Sequence, residues 1–198
     1  MTRPTKDMTK TAITREQLLA LLQGDDAMRV LLQTIVQEVL EFVRPIRLQV
    51  ERTGVAEAIH GAIQLADNKA VRGQIEVQAT VTVGVPPIQA DQQQLTQLIA
   101  NLLINAYEAM DGRGTVTISA VGTRLDDGFE GRDAVRIELA DNGPGMPPDV
   151  ADHVFAPFFT TKPQGSGLGL AIVRKIVDAH DGQIDLETAV GSGTRIRI

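Results

Sequence analysis

The stretch DNGPGMPPDVADHVFAPFFTTKPQGSGLGL, from Asp141 to Leu170, decides the fold that the sequence predicts. It opens with an acid and two spaced glycines and closes on three alternating glycines, Gly165, Gly167 and Gly169, which lead into an apolar helical pattern. Dense glycines let backbone N–H groups approach an anion, and the following helix N-terminus adds the positive end of its dipole. Either cluster alone fits an ordinary surface loop equally well. The two clusters together, with the acid, favour a nucleotide pocket.

The composition limits the classes of protein to consider. A chain of 198 residues predicts one or two domains, and its 43% of hydrophobic residues suffices for a core. Aromatic residues make up 3% and the net charge is −6, so a nucleic-acid partner is not expected. The sequence has no cysteine, which excludes disulfides, thiolate metal sites and cysteine nucleophiles.

No apolar run reaches the roughly 18–20 residues of a membrane span, and no signal-peptide pattern opens the chain. We therefore expect no membrane contact by this segment and a cytoplasmic location. A membrane anchor elsewhere in a longer parent protein stays open.

The first 45 residues differ in pattern from the rest. Residues 1–11 are polar without an apolar period, which is typical of a disordered or artificially added tail. Helical patterns over 13–23 and 27–43, separated by Gly24-Asp25-Asp26, predict a helical hairpin within residues 12–45. Because so small a hairpin buries little by itself, a helical-bundle homodimer is favoured over packing on its own domain.

Residues 46–198 mix helices and strands and end in antiparallel hairpins, which predicts an α+β two-layer sandwich. Alternating apolar residues predict strands over 47–52, 74–83, 86–90, 115–122, 134–141, 182–188 and 193–198. Helical periodicity predicts helices over 55–67, 92–110 and 168–178.

The helix over 92–110 carries a polar line. Asn101, Asn105 and Glu108 are spaced i, i+4, i+7 and so share one face, away from the apolar stripe. Carboxamide oxygens and a carboxylate suit a hard cation such as Mg²⁺. A solvated helix face explains the same pattern, so this helix alone leaves both interpretations open.

Four segments, taken in order, resemble the N, G1, F and G2 boxes of the catalytic ATP-binding domain of sensor histidine kinases. They are NLLINAYEAM (101–110), DNGPGMP (141–147), FAPFFTTK (155–162) and GSGLGLAI (165–172). This domain belongs to the Bergerat superfamily, together with gyrase, Hsp90 and MutL. Residues 41–66 resemble the junction that enters the domain from the second dimerisation helix, so the resemblance covers about 28–198.

The resemblance implies a Bergerat ATP-binding fold over 46–198 that transfers the ATP γ-phosphoryl group to a histidine, for relay to a response regulator. ATP and Mg²⁺ are the implied cofactors. Asn105 is implied to bind Mg²⁺, with Asn101 assisting. Asp141 is implied to accept a hydrogen bond from the adenine amino group, supported by Thr194.

The same resemblance assigns the glycines. Gly143 and Gly145 are implied to let adenine and ribose pack closely. The lid over the triphosphate is implied to be shaped by Gly165, Gly167, Leu168 and Gly169. Lys162 in that lid is either a phosphate contact or a solvated lysine.

Two positions depart from the family pattern. Gyrase-like relatives have a glutamate, the general base for water, where this chain has Asn101. A carboxamide does not take a proton from water, which favours phosphoryl transfer over steady ATP hydrolysis. Many histidine kinases have Lys or Arg where this chain has Glu108, so one phosphate contact is in doubt. Glu108 could instead act on the metal or on a water molecule.

The phosphoacceptor pattern, a histidine followed by an acid and then proline, does not occur. The three histidines are His60, His153 and His180, and none has these neighbours. Two other functions therefore stay open: an ATP-binding regulatory module without transferase activity, and a serine kinase of the anti-sigma type. The helix pair within 13–43 disfavours the second.

Overall fold

The computed structural model describes residues 33, 36–37, 39–40, 42–125, 132–162 and 165–198. The chain divides into two compact units, with the boundary between Val43 and Arg44. In the first unit, the described residues from 33 to 43 are helical, as the pattern over 27–43 predicts. The predicted helix over 13–23 and the turn of the hairpin lie outside the described residues. The predicted division into tail, hairpin and ATP-binding domain stays a prediction.

The second unit is a sheet layer covered by a helix layer. Its elements in chain order are β1 Glu51–Thr53, α1 Val55–Lys69, β2 Gln74–Val81, β3 Ile88–Ala90, α2 Gln92–Ala109, β4 Arg113–Leu125, β5 Arg132–Asp141, α3 Pro148–Ala151, α4 Gly169–Ala179, β6 Asp185–Thr188 and β7 Thr194–Arg197. Five strands form one sheet in the order β2-β4-β5-β7-β6, and β1 pairs separately with β3. The predicted α+β two-layer sandwich is confirmed. No helix in the described ranges is long and apolar enough to cross a membrane.

The length of the chain between two neighbouring strands agrees with whether they pair in parallel or antiparallel. Strands β2 and β4 are parallel, and the connection between them is long enough to contain β3 and α2. The remaining neighbours in the five-stranded sheet are antiparallel. Helix α2 packs against both α1 and α4. Its apolar face is buried along Leu95, Leu98, Ile99, Leu102, Leu103 and Ala106, as the sequence predicts.

The first predicted strand is wrong over most of its length. The pattern over 47–52 alternates, but only Glu51–Thr53 is paired, because its partner β3 is itself three residues long. The preceding backbone bonds elsewhere: the Gln49 N–H donates to Asp91 Oδ2 at 2.8 Å. Alternation thus indicated an extended segment, but a strand also requires a partner.

Asp91 fixes the start of α2. Its Oδ1 accepts hydrogen bonds from the N–H groups of Gln93 and Gln94 at 2.9 and 3.0 Å, an N-cap. Its own N–H donates to His180 Nε2 at 3.1 Å, at the end of α4. Burial raises the pKa of Asp91, but the N–H groups of Gln49, Gln94 and Gln93 outweigh this and leave the pKa lowered. Asp91 therefore links the start of α2 to the end of α4.

Candidate nucleotide-binding site

A row of polar side chains crosses three neighbouring strands. Asp141 ends β5 and pairs with Thr194 of β7, which in turn pairs with Thr188 of β6. Directly paired residues lie on the same face of a sheet. On its other side Asp141 pairs with Val116, which is fully buried, so this face is the one that the helices cover. The polar row thus ends an otherwise apolar inner face.

The Asp141 carboxylate is half-buried and bonded to backbone. The Gly143 N–H donates to its Oδ1 at 2.9 Å. Burial raises the pKa of Asp141, and the N–H groups of Gly143 and Thr194 only partly oppose this. Since a carboxylate accepts about four hydrogen bonds, two backbone donors leave it able to accept one from a ligand amino group.

The two glycines after Asp141 keep the space beside it open. A Cβ atom on Gly143 would lie 2.8 Å from Asp141 Oδ1 and 3.1 Å from Met110 Cγ. Gly145 has φ of 65°, and a Cβ there would collide with the carbonyl oxygen of Ala189. Both positions require glycine, one for space at the acid and one for backbone conformation.

The predicted asparagine line and the last glycine cluster meet at the start of α4. Asn101 Nδ2 lies 3.5 Å from the carbonyl oxygen of Gly169, and a Cβ on Gly169 would lie 3.5 Å from Asn105 Nδ2. Leu168, fully buried, is the N-cap of α4, and no side chain among the described residues caps this helix. The start of α4 thus lies beside the two carboxamides, and the first N–H groups of a helix have no partner within it, which suits an anion.

The described residues from Phe158 to Gly167, which are 158–162 and 165–167, are linked by local hydrogen bonds. The Phe158 N–H donates to the Gly167 carbonyl at 3.0 Å, with φ of 66° at Phe158 and 71° at Gly167. The Gly165 N–H donates to the Lys162 carbonyl at 3.2 Å, and the Lys162 N–H donates to Thr160 Oγ1 at 3.1 Å. Lys162 Nζ lies 2.5 Å from a carboxylate oxygen of Glu108, so these two predicted site residues pair with each other.

The site extends along α2. Its acid end holds Asp141 and Gly143 beside Met110, and its other end holds Asn105 beside Gly169. Met110 lies five positions after Asn105, which is a rise of about 7.5 Å along a helix. A carboxylate that can accept hydrogen bonds thus lies at one end of this stretch of α2, and the carboxamide of Asn105 lies at the other.

The side chains at the Asn101 and Asn105 end fit a magnesium ion only in part. Carboxamide oxygens of Asn101 and Asn105 are hard ligands of the kind that Mg²⁺ takes. Within the described ranges, no group of three or more His, Asp or Glu side chains is placed to hold a metal. A metal here would need phosphate and water oxygens besides, as Mg²⁺ commonly does in nucleotide sites.

Two site residues were missed from the sequence. Thr188 lies two positions after the inward-facing Leu186, so alternation in the predicted strand 182–188 already placed its hydroxyl on the inner face. Met110 follows the last residue of α2 and is buried beside Gly143. No sequence pattern indicates that contact, because it joins segments more than 30 residues apart.

Each of the three histidines has a hydrogen-bond partner. His180 Nδ1 lies 2.8 Å from the Ile176 carbonyl, so it donates there while Nε2 accepts from Asp91. His60 and His153 are exposed, with partners within four residues of each along their own segments.

Comparison with known proteins identifies the family. The model of the family "Histidine kinase-, DNA gyrase B-, and HSP90-like ATPase" matches residues 90–198. The chain belongs to this family.

Among the relatives, the sensor histidine kinase ZraS of Escherichia coli K12 is 35% identical over 163 residues, which is 82% of this chain and 33% of ZraS. The sensory histidine kinase/phosphatase NtrB of Rhodobacter capsulatus is 43% identical over 112 residues, 54% of this chain and 32% of NtrB. The chain thus spans about a third of the length of the curated relatives it matches.

Solved structures agree. Full-length ShkA in complex with AMPPNP matches with a TM-score of 0.68 and 28% identity, over 94% of this chain and 39% of ShkA. Histidine kinase ThkA in complex with the response regulator protein TrrA matches with a TM-score of 0.66 and 26% identity, over 96% of this chain and 53% of that chain.

Proposed function

We propose that this chain is the ATP-binding catalytic part of a two-component sensor histidine kinase. It binds ATP with Mg²⁺ and transfers the γ-phosphoryl group, for relay to a response regulator, to a histidine that is not present in recognisable form in this chain. One observation carries the proposal. Asp141 lies at one end of α2, and Asn105 and the α4 N-terminus lie at the other end. ShkA with bound AMPPNP and ThkA with bound TrrA support the ligand and the partner.

In this proposal Asp141 accepts a hydrogen bond from the adenine amino group. The N–H groups at the start of α4 bind phosphate oxygens, and the lid around Gly165 and Gly167 excludes water. Asn105 and Asn101 hold Mg²⁺, which neutralises charge on the transferring phosphoryl group when bound. Positioning of the acceptor nitrogen against the γ-phosphorus supplies most of the remaining rate enhancement.

Phosphoryl transfer is favoured over ATP hydrolysis because the position of the gyrase general base does not hold a side chain that can take a proton from water. Asn101 occupies the position that resembles the gyrase base, and a carboxamide does not accept a proton from water at neutral pH. The acceptor histidine nitrogen brings its own lone pair. It forms the new bond to phosphorus as the bond to the bridging oxygen breaks and ADP leaves.

The first unit supports a homodimer. Val36, Leu40 and Val43 are 48%, 59% and 68% exposed and are spaced i, i+4, i+7 on one helix face. Such an apolar stripe fits a second copy of the same helix. Sedimentation of the whole chain tests this: the double variant Leu40→Glu/Val43→Glu is expected to be monomeric at concentrations where the unchanged protein is dimeric.

Transfer of labelled phosphate tests the enzymatic proposal. The protein is incubated with γ-labelled ATP, Mg²⁺ and a separately supplied histidine-kinase dimerisation segment that contains an acceptor histidine. Label is expected on that segment and not on its His→Gln variant. Intact ATP binding without transfer would favour the regulatory module. Label on serine of a supplied protein would favour the anti-sigma type.

A further inference from the structure

The hydroxyl of Thr188 has three polar neighbours. The Met146 N–H donates to Thr188 Oγ1 at 3.0 Å, and the carbonyl oxygen of Gly193 lies 3.0 Å from the same atom. The Thr194 hydroxyl lies 3.2 Å away. A hydroxyl has one proton and two lone pairs. Because the Gly193 carbonyl can only accept, the Thr188 proton goes there, and the other two neighbours donate.

These neighbours belong to the two segments that enclose the Asp141 carboxylate. Met146 lies in the glycine loop that starts at Asp141, the loop whose Gly143 N–H bonds the carboxylate. Thr194 begins β7, and its N–H also donates a hydrogen bond to this carboxylate. The Thr188 hydroxyl therefore bonds to both the glycine loop and β7, the two segments whose N–H groups orient the Asp141 carboxylate.

Loop and hairpin are in close contact around this hydroxyl. The Gly191 N–H donates to the Pro144 carbonyl at 2.7 Å. Gly193 has φ of 77°, and a Cβ there would collide with the carbonyl oxygen of Asp141. The glycines permit the approach, and the Thr188 hydroxyl adds directional bonds that set its register.

We propose that Thr188 is a positioning residue for base recognition, whose hydroxyl holds the Asp141 carboxylate in the orientation that accepts the adenine amino group. This inference rests on the proposed function, since it requires that Asp141 binds adenine. A purely structural role is distinguishable: threonine favours strands, β6 is an edge strand, and valine would serve that role equally well.

The test compares Thr188→Val, which removes the hydroxyl at constant shape, with Thr188→Ser, which keeps it. Thr96→Val is the matched control, because Thr96 is also half-buried and its hydroxyl donates to Gln92 on α2. Calorimetric titration measures the affinity of each for ADP and for purine riboside 5′-diphosphate, which lacks only the 6-amino group. Thr188→Val should weaken ADP binding about 3- to 10-fold, the range of one net hydrogen bond, and leave the second nucleotide within about 2-fold.

Rescue completes the test. Thr188→Ser and Thr96→Val should both retain the unchanged protein's preference for ADP. Unchanged ADP affinity in Thr188→Val, or equal weakening of both nucleotides, would overturn this inference alone. A wild-type protein that binds neither nucleotide would overturn the proposed function and this inference with it.

Amide exchange supplies a second measurement that needs no nucleotide. If Thr188 Oγ1 accepts from Met146, the Met146 amide should exchange faster with solvent in Thr188→Val and at the original rate in Thr188→Ser. Should the valine variant not fold, Thr188→Ala takes its place in both measurements. An amide rate that is identical in all variants would contradict the hydrogen bond on which the inference stands.

Discussion

The Lys162 ammonium and the Glu108 carboxylate, 54 positions apart in sequence, lie 2.5 Å from each other and join the lid to the end of α2. Both side chains are exposed by more than a third, so the pair adds at most about 1 kcal/mol to stability. Its effect is on placement: a lid cation is held at the helix turn that follows Asn105. Glu108, which departs from the family pattern, is thereby matched by a lysine from another segment.

This pair predicts opposite effects of its two partners on triphosphate binding. If Lys162 leaves Glu108 to contact the γ-phosphate, Lys162→Met should weaken AMPPNP about 3- to 10-fold and ADP by less than about 2-fold. Glu108→Gln frees the lysine and should tighten AMPPNP. Titration of both nucleotides measures this, with Lys69→Met on α1 as the control. Equal weakening of the two nucleotides would contradict a γ-phosphate contact, and no effect on either would show that Lys162 contacts no phosphate.

Asn105 predicts a magnesium-dependent effect. Asn105→Ala should remove most of the gain in AMPPNP affinity that Mg²⁺ gives and leave the affinity in EDTA nearly unchanged, because the carboxamide acts through the metal. Asn101→Ala should have a smaller effect of the same kind. Asn68→Ala, on the exposed end of α1, is the control. Loss of affinity with and without Mg²⁺ alike would assign Asn105 to the pocket wall.

Substitution of Tyr107 should change the free energy of unfolding without changing the affinity for ADP. Its buried hydroxyl donates to Asp67 Oδ1 at 3.1 Å, and Asp67 also pairs with Arg72 at 3.0 Å. Tyr107→Phe should lower the free energy of unfolding by about 1 kcal/mol in urea denaturation, with ADP affinity unchanged. Tyr107→Leu, which also loses packing, should cost more.

The same tyrosine predicts a pH dependence. Burial, with the nearby Asp67 charge, raises the pKa of Tyr107 from 10.0 to about 12. The protonated hydroxyl stabilises the folded state. This contribution to stability is complete below the pKa of the tyrosine in the unfolded chain and is lost as pH rises through its pKa in the folded protein. The wild-type protein should therefore lose stability relative to Tyr107→Phe between about pH 10 and pH 12. Parallel pH profiles of the two proteins would contradict this.

Asp141 predicts a pH dependence of base recognition. Burial holds the pKa of this acid above its ordinary value. A proton on the Asp141 carboxylate would compete with the adenine amino group for the oxygen that accepts the hydrogen bond. The preference for ADP over purine riboside 5′-diphosphate should therefore be full above the pKa of Asp141 in the folded protein. It should fall as pH drops through that value, at a higher pH than for an ordinary aspartate. Taking the ratio of the two affinities cancels the titration of the phosphates, which both nucleotides share.

The sequence predicted the layers and most elements, because alternation and helical periodicity report directly on burial. The helix that begins at Gln92 and the terminal hairpin are confirmed. The strand over 47–52 was overpredicted, since a pattern cannot show that the partner β3 has only three residues. The hairpin within 12–45 stays a prediction.

For the site, the order of glycine clusters and the asparagine spacing indicated which segments meet. They could not supply contacts that depend on register between distant strands. The Asp141–Thr194–Thr188 row is one such contact, because it requires the pairing of β5, β7 and β6. The Glu108–Lys162 pair was also not predictable, because it joins a helix to a loop 54 positions away and neither residue by itself indicates the other.

The central claim is that Asp141 reads adenine in an ATP site, and ADP titration of the wild-type protein and Asp141→Ala tests it most directly. We expect the wild-type protein to bind ADP, and Asp141→Ala to bind it at least about 30-fold more weakly, because the variant loses the acceptor for the amino group and the anchor of the Gly143 N–H. An Asp141→Ala protein that is folded and binds ADP as tightly as the wild type would contradict the account.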